Sequence, residues 1–159
     1  MLRRRRACAT IVCLALAACG GPPPSPVAAP PQSDPGVVVL GNHELRYGTV
    51  PASELPREVA VAYGIERRAG VLVLSVSVLR RENGRLPAPV EASLRGTQRN
   101  LIGEPVALEF RELRSGSGPS WVAEISPTAP GIVLIDFEAV PAEGGPPLKA
   151  SLKREIAAR

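Results

Sequence analysis

A chain of 159 residues with three cysteines, one histidine and a formal charge of +4 has room for one domain beside a targeting segment. The charge does not point to nucleic acid: Arg3, Arg4, Arg5 and Arg6 supply the whole excess, and without them 15 basic residues face 15 acidic ones, which leaves no obvious basic face for a phosphate backbone. Cys8, Cys13 and Cys19 all lie in the first nineteen residues, so the rest of the chain has no thiol for a disulfide, a nucleophile or a thiolate metal site.

Met1 to Arg6 is basic, and Ala7 to Ala18 follows as an uncharged apolar run. About twenty apolar residues are needed to span a bilayer, so a run this short predicts a secretory signal over residues 1–18, not a permanent anchor. Cys8 and Cys13 are apolar fillers within it. Leu16-Ala17-Ala18-Cys19 resembles the lipobox of bacterial lipoprotein signals, a large aliphatic and two small residues before a cysteine. The resemblance implies cleavage between Ala18 and Cys19, a diacylglyceryl group on the Cys19 sulfur and an acylated new amine. One acyl chain anchors only marginally at about 0.8 kcal/mol per buried methylene, so several on one residue give stable attachment. An ordinary cleavage after Ala15-Leu16-Ala17 would instead release a soluble protein. Gly20 stands where lipoproteins kept in the inner membrane often carry Asp, which favours the outer membrane, facing the periplasm.

Residues 19–36 read as the lipidated cysteine and a tether, with seven prolines between Gly20 and Gly36. A proline-rich stretch favours extended polyproline II at about 3.1 Å per residue and would hold a domain up to roughly 50 Å from the bilayer. Recognition by a proline-binding module is the alternative.

Residues 37–159 carry short β-rich runs separated by Gly, Pro and Asn. The expected strands are Val37 to Leu40, Glu44 to Val50, Val71 to Leu79, Val90 to Gln98, Val106 to Leu113, Trp121 to Ile125, Ile132 to Val140 and Leu148 to Ile156. In Val71 to Leu79 the alternation puts Leu72, Leu74, Val76 and Val78 on one face and Ser75 and Ser77 on the other. Asn83-Gly84 predicts a tight hairpin turn. One helix is expected from Ser53 as N-cap to Gly64, with Leu55, Val59 and Ala62 on its buried stripe. The pattern predicts a mainly β fold, an immunoglobulin-like antiparallel sandwich with one short helix. Trp121, the only tryptophan, is expected to pack in the core or at its rim.

Gly41-Asn42-His43-Glu44-Leu45-Arg46-Tyr47, Pro56-Arg57-Glu58-Val59-Ala60, Ala62-Tyr63-Gly64-Ile65 and Val71 to Leu79 resemble a bacterial family catalogued as domain of unknown function 4426. Gly96-Thr97-Gln98-Arg99-Asn100-Leu101-Ile102-Gly103 and Leu108-Glu109-Phe110-Arg111-Glu112-Leu113 continue the resemblance in the same order, over most of residues 37 to 156. It implies a small envelope protein with a sandwich fold and no assigned activity. The family shows a histidine before the tyrosine of its first strand, where this chain has Arg46, which argues against an indispensable reaction at that position.

Chemistry has few places to start. Any Ser-His-Asp arrangement must pass through His43, the only histidine, which reads as a solvated turn residue. Transition-metal sites draw several ligands from Cys and His, so neither a metal site nor a cofactor is expected. Asp136 and Glu138 lie two apart on one strand face, a spacing open to acid–base work or to a hard cation, though a solvent-facing strand end is the reading favoured. Ser115-Gly116-Ser117-Gly118-Pro119-Ser120 lacks the Gly-Lys-Ser/Thr ending of a phosphate loop and reads as a hairpin turn. Arg67-Arg68 and Arg80-Arg81 are expected on solvated strand edges, discouraging aggregation, with an acidic partner or lipid headgroups as the alternative.

The expectation is therefore a non-enzymatic envelope lipoprotein, bound to membrane lipid through acylated Cys19, that offers a surface or sheet edge to an envelope protein. Two other classes stay open. One is a hydrolase of envelope polymers using Asp136, Glu138 or the carboxylates near Phe110, and the other is a carrier holding a small apolar ligand between its sheets.

Overall fold

The computed structural model describes residues 33–156. The signal, Ala18, Cys19 and most of the tether lie outside the described residues. Among the described residues, ten strands, all paired antiparallel, form two sheets. The strands are β1 (Ser33–Leu40), β2 (His43–Pro51), β3 (Leu72–Arg80), β4 (Ala88–Pro89), β5 (Ala92–Asn100), β6 (Val106–Ala107), β7 (Arg111–Ser115), β8 (Gly118–Ile125), β9 (Gly131–Pro141) and β10 (Leu148–Ile156). The first sheet runs β1-β2-β3-β8-β7, with β4 also on β3, and the second runs β10-β9-β5-β6.

Period-2 patterning builds the sandwich. Leu72, Leu74, Val76 and Val78 of β3 face Val133, Ile135, Phe137 and Ala139 of β9 across one core, joined by Trp121, Leu148 and Leu152. Tyr47 meets Phe137 edge-on, ring centroids 5.3 Å apart, and Phe110 lies 6.3 Å from the same ring. These side chains occupy the space between the sheets, where an apolar ligand would have to sit. Among the described residues no helix is long and apolar enough to cross a membrane.

Five local expectations change. The single helix divides into a 3-10 turn, Ala52–Glu54, and α1, Arg57–Ala62. Pro56 drives the residue before it to extended geometry, so Leu55 sits at ψ 134 and a helix cannot run through it from Ser53. The C-terminal end holds as expected. Gly64, at φ +60, donates to the Val61 carbonyl and Ile65 to that of Ala60, the paired bonds of a Schellman stop. Leu55, Val59, Ala60 and Ile65 bury themselves with Val73 and Val122 on the outer face of the first sheet, while Ala62 stays exposed.

The run Val106 to Leu113 is two strands in different sheets, because Leu108 turns into the core and carries the chain across. Val90 to Gln98 likewise loses its start to a crossing between β4 and β5. Asn83-Gly84 forms the middle of a turn closed by Arg85 N–H to the Glu82 carbonyl, inside a longer loop. Finally, β1 begins at Ser33, so Ser33 to Gly36 lie in a strand and not in the tether. Gly36 passes so close beneath the Tyr47 ring that no side chain fits there.

Candidate functional site

A sandwich has four exposed strand edges, and here they are treated differently. β10 carries Lys149, Lys153, Arg154 and Glu155, and β7 carries Arg111, Glu112 and Arg114, charges that discourage another strand from pairing. β6 is two residues long. β1 alone among these edges has an uncharged run, Val37 to Leu40. Val38 packs toward the core, and Val37, Val39 and Leu40 are 57%, 47% and 42% exposed. The register breaks between Ser33 and Gly36 and is regular from Gly36 to Leu40, so the apolar half is also the flat half. Arg154, from β10, donates to the Thr49 hydroxyl at 2.9 Å and ties the two sheets together beside this edge.

His43 is not a solvated turn residue. It is 3% exposed at the start of β2. Its Nε2 lies 2.9 Å from a Glu143 carboxylate oxygen, while the other oxygen of Glu143 accepts from Arg80 at 2.7 Å. Arg80 also donates to Glu82 at 3.0 Å, and buried Glu44 is paired with Arg46 and Arg81. The cluster fastens the β9–β10 connection to the ends of β2 and β3. The other ring nitrogen of His43, Nδ1, is buried beside Gly145 and has no hydrogen-bond partner among the described residues, so within them His43 is not joined to a nucleophile. Arg80 and Arg81 thus serve internal pairs, and so do Arg67, on the Ser53 carbonyl, and Arg68, 3.6 Å from Glu124.

The hydrogen bond with His43, and after it that from Arg80, holds the Glu143 carboxyl below its ordinary 4.5, and the same carboxylate raises the Arg80 guanidinium. A depressed carboxyl adds stability above its unfolded-state value and loses it as pH falls through the folded-state value. Glu143→Gln is therefore expected to lower the thermal midpoint near neutral pH, with the gap to wild type closing below about pH 4.5. Melting curves between pH 3 and pH 7 check this; a gap that widens toward acid would contradict it.

Asp136 and Glu138 share the outer face of the second sheet, as their spacing predicts. Each already has a cross-strand neighbour. Ser151 donates to Asp136 at 2.6 Å, Arg95 to Glu138 at 2.5 Å, and Lys149 lies 3.9 Å from Glu138. They line an open depression of about 430 Å³ on the sheet surface. Near Phe110, Glu109 and Glu112 are exposed, and Glu112 pairs with Arg114 at 2.6 Å. Carboxylates on an open face, one held by a serine hydroxyl and others by basic side chains, differ from two carboxyls facing a common cleft. The segment Ser115 to Ser120 is the β7–β8 hairpin, turning at Gly116-Ser117, and Trp121 is 5% exposed in the core. Among the described residues, no three His, Cys, Asp or Glu side chains come together as metal ligands would.

The family model for the domain of unknown function DUF4426 matches residues 37–156. A crystal structure of a DUF4426 family protein from Pseudomonas aeruginosa is 25% identical, with a TM-score of 0.61 over 77% of this chain and 94% of that one. A copper-bound variant of FetP from uropathogenic Escherichia coli is 16% identical, with a TM-score of 0.52 over 79% and 97%. FetP as isolated after recombinant expression in the periplasm is 18% identical, with a TM-score of 0.51 over 79% and 93%. No curated protein matches the chain by sequence.

Proposed function

The chain belongs to the DUF4426 family, and from that premise we propose a non-enzymatic envelope protein, lipid-anchored at Cys19 to the outer membrane and facing the periplasm, that binds another protein along β1. The Val37 to Leu40 half of the β1 edge carries this reading: an uncharged, apolar run on a strand edge is a template for an added strand, and the other edges are charged or short. The N-terminal pattern supports export and lipid attachment, and the fold shared with FetP, a protein expressed in the periplasm, fits an envelope location. Ser33 lies fourteen positions after Cys19, so the tether reaches at most about 50 Å. Copper is bound by a FetP variant, but here the lone histidine is engaged by Glu143 and no ligand trio stands near it among the described residues. That favours a protein partner over a metal.

The test places a photo-crosslinking residue at Val37 in intact cells, and the same residue at Val61, 74% exposed on α1. One repeated adduct from position 37 alone is expected. Val39→Lys should weaken it about tenfold, equivalent to roughly 1.4 kcal/mol, while leaving the melting curve unchanged. Equal, scattered adducts from both positions would contradict the proposal.

A further inference from the structure

Leu101 and Ile102 form the tip of the β5–β6 hairpin and are 60% and 97% exposed, with Val106, 57% exposed, on the returning strand. The tip is held in shape. Asn100 Oδ1 accepts the Ile102 N–H at 3.1 Å, and Gly103 passes too close to the Asn100 side chain to carry a Cβ. The fold thus presents two large aliphatic side chains to solvent.

Strand register places this tip. Ser33 pairs with Thr49, Pro51 with Leu72, and Leu72 with Ile125, so these residues share one end of the first sheet. Residues 126–130 join Ile125 to Gly131, which pairs with Ile156, while Val133 pairs with Asn100. Asn100, Gly103, Ser126, Pro127 and Thr128 line one depression of about 300 Å³. The hairpin tip therefore stands at the end of the sandwich where β1 begins. Cys19 lies fourteen residues before that point.

We propose that the Leu101-Ile102 tip docks into the bilayer that holds the lipid anchor, seating the domain on the membrane with its His43 end outward. The proposal rests on the anchored reading above. A tethered contact is intramolecular, so one too weak to recruit a free protein suffices to orient an anchored one. Arg99 and Glu104, one charge of each sign, are the exposed charges flanking the tip. The contact is apolar, so it should need no anionic lipid and should persist in high salt.

The test uses the full mature protein, purified in detergent and reconstituted into phosphatidylcholine vesicles with brominated acyl chains, which quench tryptophan on contact. Ile102→Trp places the reporter at the tip. Leu86→Trp, at a position 91% exposed in the β3–β4 loop at the opposite end, is the control. Buried Trp121 supplies the background in both. At a depth of about 5–10 Å, Ile102→Trp is expected to lose about half of its added emission and Leu86→Trp almost none. Vesicle flotation reads the anchor separately. Flotation without quenching at position 102, or with equal quenching at both, overturns the docking and leaves the anchor standing; failure to float overturns both.

Discussion

Phe137→Ala is expected to destabilise the domain by about 3–5 kcal/mol, the range for removing a buried aromatic ring. Phe137 is 4% exposed on β9, which lies between β10 and β5, and its ring touches those of Tyr47 and Phe110. Gly96 sits opposite it on β5, so close that a Cβ would meet Phe137. Truncating the ring leaves a hole with a glycine on one side and, on the other, the rings of Tyr47 on β2 and Phe110 in the β6–β7 connection, so little can collapse into it. Domains of this size are stable by about 5–15 kcal/mol, so the loss is a large share of the total. The thermal midpoint should fall by about 10–20 °C, and urea unfolding should give a lower midpoint at an unchanged slope. A shift of a degree or two would mean that the two aromatic contacts do not hold the sheets together.

Side-chain alternation reveals which face of a strand is buried, and it did so for β3 and β9: Leu72, Leu74, Val76 and Val78 turn inward together, and Asp136 and Glu138 turn outward. Alternation does not say to which sheet a strand belongs. Val106, Leu108 and Phe110 keep the same rhythm straight through the crossing from β6 to β7, so the pattern predicts one strand where the chain makes two short ones. The start of α1 was hidden for a different reason. Ser53 is a good N-cap residue, but Pro56 constrains Leu55, and that backbone restriction outweighs the cap.

The ionic cluster was the least legible part. His43 was visible as the only histidine, yet Glu143 lies 100 residues away and meets Arg80 across 63. A local pattern cannot show partners that only the β9–β10 connection brings to the ends of β2 and β3. The β1 edge is half legible: the uncharged Val37 to Leu40 reads as a strand, but its place at an edge depends on the sheet order. Pro35 disguised its beginning, since a proline beside an irregular register fits the start of an edge strand as well as a linker.

The largest expected effect lies outside the described residues. Cys19→Ser removes the sulfur that would carry diacylglycerol and leaves a chain with no other cysteine beyond residue 19. With several acyl chains lost at about 0.8 kcal/mol per methylene, the folded domain itself has no contact of comparable strength with the bilayer. The Leu101-Ile102 tip acts only on a chain already tethered. The variant should carry no fatty acid and leave the outer-membrane fraction almost completely. The most direct measurement is intact mass analysis of the native protein from membranes, beside the variant. A mature chain beginning at Cys19 and heavier by a diacylglyceryl and an acyl group is the result this account predicts. A wild-type chain that begins elsewhere, or that carries no fatty acid and fractionates like the variant, would contradict it.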